Sequence, residues 1–228
     1  ARASTASQVR ERRYGPCMRI DVWSDIACPW CYLGKRRIER ALAQLGGEHE
    51  IIFHAFELNP RAPSMYDDGL SHTERLAKKF GRSPAEIDVM HERMCGLGSE
   101  DGIDFHFGRV RGGNTFDAHR VVQLGLERGV QVAVKERLMK AYFTDGEPIG
   151  DREVLARLGA EAGLAATEVR EMLASDRGTA EVRADEAQAQ ELGVTGVPFF
   201  VLGGTVGVPG AQPVDVLLQA LEQAQARG

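Results

Sequence analysis

The chain has 228 residues, of which 43% are hydrophobic, so it can bury one sizeable core or a core with an inserted subdomain. Its net charge of −5, from 28 basic and 33 acidic residues, offers no basic surface for nucleic acid. No apolar run approaches the roughly 18 residues that a membrane span needs. Four cysteines are too few for a disulfide framework in a chain of this length.

Residues 1–17 are polar, include several arginines and lack the apolar centre of a secretory signal. We expect this segment to be a disordered N-terminal extension. Without a signal, the chain is expected in the cytoplasm, where a disulfide is transient and catalytic.

The next segment has the pattern of a strand, a helix and a second strand. Apolar and polar residues alternate over 18–24, which predicts a half-buried strand. Residues 29–45 predict an amphipathic helix whose buried stripe includes Cys31, and the pair Gly46–Gly47 ends it. Residues 50–57 predict the second strand. A strand, a helix and a strand this closely spaced form a right-handed parallel unit.

The junction between the first strand and the helix holds the sequence Cys28-Pro29-Trp30-Cys31. Two cysteines separated by two residues can close into a small disulfide and reopen. Cys28 falls at the helix N-terminus, where unpaired N–H groups and the helix dipole favour a thiolate over a thiol. We therefore predict that Cys28 is the exposed attacking thiolate and that Cys31, on the buried stripe, resolves the mixed disulfide. Pro29 suits the first helical turn, and Trp30 is expected at the surface in contact with substrate.

Other uses of a Cys-x-x-Cys motif are disfavoured by the rest of the sequence. A zinc site of four ligands needs a second pair, and only the isolated Cys17 and Cys95 remain. The six histidines include no pair at His-x-x-His or His-x-x-x-His spacing. A purely structural disulfide is the other minor interpretation. We therefore predict no metal site, and disulfide exchange requires neither a metal nor an organic cofactor.

After about residue 63 the pattern becomes helical. Helices are predicted at 71–80, 84–95, 115–128, 131–143, 151–162, 167–174 and 177–192. The glycine-rich stretch 96–113 is predicted to be the one long loop, and long loops in compact domains are often functional. Two short strands and a last helix are predicted to end the chain, at 196–202, 205–208 and 211–225.

These segments together resemble the thioredoxin-fold proteins of the DsbA family, and more narrowly their FrnE-like branch of cytoplasmic oxidoreductases. The matching residues are spread over nearly the whole chain, at 21–25, 28–34, 56–60, 114–115, 118–120, 141–143 and 193–200. The fold class is therefore expected to be α/β, a thioredoxin fold with a large all-helical insertion, as in DsbA. Its two thioredoxin-fold parts are expected at 18–62 and 193–228, with the helical insertion at 63–192.

The resemblance also implies site residues that spacing alone does not reveal. It implies a cis peptide bond between Val197 and Pro198, beside the two cysteines, where backbone groups can pair with an extended substrate. The minor alternative is an ordinary trans proline that begins an edge strand. The resemblance makes Asn114 and Thr115 candidates for lining the cleft, although both are most simply helix caps. His119 is a further candidate, although a histidine on such a helix is more often structural.

The expected activity is thiol–disulfide exchange, with isomerisation as a further use of the Cys28–Cys31 pair. The expected substrate is a disulfide-containing protein or a low-molecular-weight thiol. The chain is expected to be a monomer or a homodimer with no nucleic-acid or membrane partner. The alternative is a glutathione-dependent isomerase or transferase of the kappa-class or 2-hydroxychromene-2-carboxylate isomerase type. Those relatives commonly carry serine where this chain has Cys28, but glutathione stays open as a reductant or ligand. A third hypothesis is a non-enzymatic redox sensor whose disulfide only switches shape.

Overall fold

The computed structural model describes residues 17–227. Within that range one sheet has the strands β1 (Met18–Ser24), β2 (His49–Ala55), β3 (Phe199–Leu202) and β4 (Val206–Pro209), in the order β2-β1-β3-β4. β1 and β2 are parallel, whereas β3 is antiparallel to both β1 and β4. The N-terminal extension was predicted to be disordered over residues 1–17. All of these residues except Cys17 lie outside the described range.

The predicted β-α-β unit is confirmed. α1 (Pro29–Leu45) connects β1 to β2 and has the predicted boundaries. It ends where Gly46 takes a positive φ of 72° and donates its N–H to the Leu42 carbonyl, a conformation that glycine adopts without steric cost. β2 begins at His49, one residue before the predicted start, and ends at Ala55, two residues before the predicted end.

The predicted helical insertion is present between β2 and β3. It contains α2 (His72–Phe80), α3 (Pro84–Glu100), α4 (Phe116–Glu127), α5 (Gln131–Lys140), α6 (Arg152–Glu161), α7 (Ala166–Leu173) and α8 (Thr179–Glu191). A last helix, α9 (Val214–Gln225), follows β4 and packs on α1. The order of elements confirms the α/β thioredoxin fold with a helical insertion.

Two predicted helices were wrong in extent. α3 continues to Glu100 instead of ending at residue 95, so the predicted loop is shorter. The helix tolerates glycine there because Gly98 packs directly on Phe105, and any Cβ at that position would overlap the ring. The helix predicted over 131–143 leaves α geometry after Lys140. A π-helical turn, Ala141–Asp145, continues it.

The last elements begin later than predicted, and prolines explain both differences. β3 starts at Phe199 instead of residue 196, because Pro198 has no N–H to donate to a strand ladder. α9 starts at Val214 instead of residue 211. Pro213 disfavours helical geometry at the residue before it, so the helix begins only after this proline.

The insertion covers the outer edge of β2. At the start of α5, the Gln131 amide accepts the Phe53 N–H (2.9 Å) and donates to the Phe53 carbonyl (2.8 Å), as a neighbouring strand would. Asp185 of α8 accepts the Ala55 N–H at 2.8 Å. Buried backbone groups need such partners, and an uncovered edge invites pairing with other chains. The insertion therefore completes the sheet.

One large apolar cluster joins the sheet, α1 and the insertion. Tyr32 of α1 connects the two regions, because its ring packs edge-on against Phe105 (6.0 Å between centroids) and beside Phe143 (6.3 Å). Tyr32 therefore anchors α1 to the helical insertion. Across residues 17–227, none of the helices has both the length and the apolar character needed to cross a bilayer.

Candidate active site

Cys28 and Cys31 lie at the start of α1. Cys28 is the N-cap residue with an extended backbone (φ −99°, ψ 113°), and Pro29 occupies the first helical turn. The Cys28 carbonyl accepts the N–H groups of Cys31 (3.0 Å) and Tyr32 (3.3 Å). Both cysteines are free thiols. The predicted helix-terminal position of Cys28 is confirmed. Residues 17–227 contain no cluster of three or more His, Cys, Asp or Glu side chains arranged to hold a metal ion.

The exposure of Cys28 differs from the prediction. Cys28 is only 5% exposed, so the expectation of an exposed thiol is wrong, and Cys31 is 1% exposed. The loop before β3 covers the first sulfur, because the Val197 carbonyl oxygen lies 3.7 Å from Cys28 Sγ. Trp30 is 42% exposed, in agreement with its predicted surface position.

The loop before β3 packs closely against α1. Its Val197–Pro198 peptide bond is cis. A Cβ at Gly34 would lie 2.8 Å from Pro198 Cγ and 3.1 Å from the Phe200 ring, so only glycine permits this approach. A cavity of about 390 Å³ lies alongside, lined by residues 193–199 with Pro209 and Gly210. Val197 and Pro198 line this cavity, and the Val197 carbonyl also contacts Cys28.

Asp25 is buried in the loop between β1 and α1. Its carbonyl accepts the Cys28 N–H (3.3 Å), and its Oδ2 accepts the Leu58 N–H (2.8 Å). His119 Nε2 lies 3.4 Å from the other carboxylate oxygen. Burial acts to raise the pKa of the Asp25 carboxyl, but His119 and the Leu58 N–H outweigh it and hold this pKa below its ordinary value. A negative charge therefore sits beneath the cysteines.

Of the three predicted cleft residues, His119 lies against the buried Asp25 carboxylate, whereas Asn114 and Thr115 stand at the start of α4. His119 is 1% exposed, and its Nε2 has no hydrogen-bond partner among the described residues. The Asn114 side chain accepts the first N–H of α4 (2.7 Å) and donates to Glu57 Oε1 (3.0 Å). Thr115 is the N-cap residue but makes no side-chain capping bond, so Asn114 caps the helix.

Lys135 of α5 is a site residue that the sequence reasoning missed. It is fully buried, and its Nζ donates to the Ser24 carbonyl (3.2 Å) at the end of β1. Burial lowers the pKa of Lys135 to about 8. Burial and the neighbouring Cys28 raise the pKa of Cys31 well above its ordinary value, and the charge of Lys135 opposes that rise. The helical periodicity of the sequence could have revealed Lys135, because it falls on the same face as the apolar residues of α5. The buried residues of that face are Gln131, Val134, Lys135, Leu138 and Met139.

A second buried charged group, also missed, joins β2 to α8. His54 Nδ1 lies 2.7 Å from Asp185 Oδ1, and its Nε2 lies 2.7 Å from Asp21 Oδ1. The ring stacks on Trp23, with centroids 4.4 Å apart. Burial acts to lower the pKa of His54, but the two carboxylates outweigh it and raise this pKa to about 9. His54 is therefore an imidazolium at neutral pH.

Comparison with known proteins agrees with this geometry. The model of the DSBA-like thioredoxin domain matches residues 19–222. The crystal structure of the probable DsbA oxidoreductase SCO1869 from Streptomyces coelicolor is 40% identical, with a TM-score of 0.86, and covers 92% of this chain and 91% of that one. The uncharacterized protein YwbO of Bacillus subtilis (strain 168) is 28% identical over 220 residues, 92% of this chain and 98% of that protein.

A 2-hydroxychromene-2-carboxylate isomerase shares the fold alone, at 17% identity with a TM-score of 0.60, over 92% of this chain and 95% of that one. The match to the domain model extends over most of the chain, from the first strand into the last helix. The chain therefore belongs to the family of DSBA-like thioredoxin domains.

Proposed function

We propose that the protein is a thiol–disulfide oxidoreductase whose redox centre is the Cys28–Cys31 pair. The main support is the arrangement of the two thiols in one helix. Cys28 caps the helix next to the Val197 carbonyl, and Cys31 lies within the first turn, more deeply buried. Such an arrangement separates an attacking sulfur from a resolving one.

In the reducing direction, the Cys28 thiolate attacks one sulfur of a substrate disulfide. A mixed disulfide forms, and the other substrate sulfur leaves as a thiolate. Cys31 then gives up its proton and attacks the Cys28 sulfur, which closes the Cys28–Cys31 bond and releases the second substrate thiolate. Two electrons pass from the pair to the substrate, so no cofactor is required. The oxidising direction is the reverse, and the N–H groups at the start of α1 stabilise the Cys28 thiolate in both.

The region beside the pair accommodates an extended substrate. Val197 and Pro198 would hold its backbone next to the Cys28 sulfur, and the adjacent cavity of about 390 Å³ provides room. Trp30 and Leu58, 42% and 41% exposed, add apolar contact surface. We propose a disulfide-containing protein or a low-molecular-weight thiol such as glutathione as the partner, in the cytoplasm. Larger apolar segments would use the exposed tryptophan.

The test uses a Cys17→Ser, Cys95→Ser background, so that only the redox pair remains of the four cysteines. The protein is equilibrated with mixtures of reduced and oxidised glutathione while tryptophan fluorescence is followed, and insulin reduction is measured in parallel. We expect a reversible two-electron transition and insulin turnover. Cys28→Ser should abolish turnover, and Cys31→Ser should accumulate a mixed disulfide with the substrate, because resolution is lost.

Other results would favour the alternatives. Glutathione conjugation or isomerisation that persists in Cys31→Ser would favour a glutathione-dependent isomerase or transferase. A reversible Cys28–Cys31 disulfide with no insulin turnover would favour a redox sensor. Absence of any redox transition would refute the proposal.

A further inference from the structure

His54 of β2 joins the sheet to α8 through its ring. Its Nδ1 contacts Asp185 Oδ1 of α8, and its Nε2 contacts Asp21 Oδ1 of β1, both at 2.7 Å. From residue 17 to residue 227, no other cationic side chain contacts the Asp185 carboxylate. Its remaining partners are neutral donors, the Ala55 N–H and the Gln123 amide. The imidazolium therefore supplies the positive charge that holds Asp185 in place.

The charged groups that face His54 from the elements around it are Asp21 and Asp185. Arg19 of β1 contacts Asp21 at 2.6 Å and is itself exposed. From α4, the neutral Gln123 amide contacts Asp185. Without the charge on His54, two largely buried carboxylates would lie on either side of a neutral ring that donates only one hydrogen bond. Loss of the charge therefore weakens the attachment of α8.

Trp23 connects this ion pair to the start of β3. Its ring stacks on His54, with centroids 4.4 Å apart, and its Nε1 donates to the Asp185 carbonyl at 3.0 Å. On the neighbouring strand, Phe199 is its partner in the register of the sheet, with the two rings 6.5 Å apart. The indole thus contacts the histidine, α8 and the first residue of β3.

The loop between α8 and β3 is fixed through the same indole. Val194 packs with Trp23 and Ala189 in a small apolar cluster, and Val197 packs against that cluster. The Val194 N–H also donates to the Ala189 carbonyl (2.8 Å), near the end of α8. Val197 in turn places its carbonyl oxygen 3.7 Å from Cys28 Sγ. A continuous series of contacts therefore runs from the imidazolium to the loop that covers the first cysteine.

We propose that His54 is a positioning residue that holds the loop 193–198 over Cys28, by fixing α8 and the indole packed on it. The inference deepens the redox function proposed above, on which its consequence for turnover rests. The held loop keeps Cys28 only 5% exposed and keeps Val197 and Pro198 in place for a substrate backbone. When His54 loses its charge, the loop opens more often. The sulfur then becomes more accessible, and a substrate is held less well.

The main test measures the alkylation of Cys28 by iodoacetamide. A Cys17→Ser, Cys31→Ser, Cys95→Ser background leaves it the only one of the four cysteines. The rate is measured at about pH 8, where His54 keeps its proton. Division by the thiolate fraction, read from the ultraviolet absorbance, makes the rate report accessibility alone.

Three substitutions of histidine are compared in that background. His54→Gln removes the charge, whereas His54→Arg keeps a cation that can contact two carboxylates. His49→Gln is the matched control on the same strand, because that ring contacts the Gly46 carbonyl (2.8 Å). Urea unfolding verifies that each variant is folded.

His54→Gln should raise the corrected alkylation rate roughly tenfold, within the usual range for coupling between two sites. His54→Arg should restore most of the wild-type rate, and His49→Gln should match the wild type. With all four cysteines present, His54→Gln should raise the KM for insulin more than it lowers kcat, because the loop holds substrate and takes no part in the exchange step. A folded His54→Gln protein with an unchanged corrected rate would overturn the inference. An equal increase in His54→Gln and His54→Arg would also overturn it, because the charge would then play no part.

A measurement on the wild type covers the case in which the variants do not fold. Hydrogen exchange of the Val194 amide, corrected for intrinsic exchange, should accelerate roughly tenfold as the pH rises past the His54 pKa of about 9. The Gly46 amide, which donates to the Leu42 carbonyl (3.0 Å), is the internal control and should keep its protection. Constant protection of the Val194 amide would refute the inference. If the cysteine pair does not cycle with glutathione at all, the proposed function fails, whereas alkylation and amide exchange still decide whether His54 holds the loop.

Discussion

His54 couples the stability of this protein to pH. Its ring lies between Asp21 and Asp185, each at 2.7 Å, and these carboxylates raise its pKa from 6.5 to about 9 despite burial. At 1.36 kcal/mol per pKa unit, the proton stabilises the folded state by about 3 kcal/mol. This is a large part of the stability of a typical domain.

The sign follows from the raised pKa. The folded protein binds the His54 proton more tightly than the unfolded chain does, so the stabilisation is fully present below pH 6.5. It is lost progressively as the pH rises from 6.5 to about 9. Above that range, Asp21 and Asp185 share a neutral ring, which can donate only one hydrogen bond.

The assay compares urea unfolding of the wild type and of His54→Gln between about pH 6 and about pH 10. We expect the free-energy difference between the two proteins to shrink by about 3 kcal/mol across this range. The subtraction removes groups common to both, including Lys135, whose lowered pKa of about 8 acts in the opposite direction. His49→Gln is the matched control on the same strand, because that ring contacts the Gly46 carbonyl (2.8 Å).

Proton NMR provides an independent test. The ring resonance that disappears in His54→Gln should titrate near pH 9 in the wild type. A stability difference that stays constant with pH, or a ring midpoint close to 6.5, would show that the two carboxylates do not hold an imidazolium.

Three further substitutions test the packing around the site. Gly34→Ala places a methyl group 2.8 Å from Pro198 Cγ; we expect a loss of about 1–3 kcal/mol in urea unfolding and slower insulin reduction, and normal values for both would contradict the close approach. Glu136→Gln removes a charged partner of buried Lys35. It should lower the free energy of unfolding by about 2 kcal/mol, and an unchanged melting temperature would contradict this prediction. Asp151→Ala removes a cap that accepts two N–H groups of α6; it should cost about 1 kcal/mol without affecting the glutathione equilibrium, and a change in that equilibrium would contradict a local role.

The sequence was sufficient for the local features of the fold. A proline in the first turn and a Gly-Gly pair after the last one predicted both ends of α1, because these signals act on the backbone nearby. It also indicated the helical insertion and the cysteine motif. It failed where packing at a distance overrides local signals, as at Gly98, where contact with Phe105 and not helix propensity determines how far α3 continues.

The chemical surroundings of the cysteines were decided by the tertiary structure. The burial of Cys28 depends on the Val197 carbonyl, which approaches from a loop more than half the chain away. Lys135 reaches the carbonyl at the end of β1 because α5 packs against β2. Sequence periodicity identifies which face of a helix is buried, but it does not specify which distant residue that face meets. Electrostatic effects depend on those distances, and only the folded chain sets them.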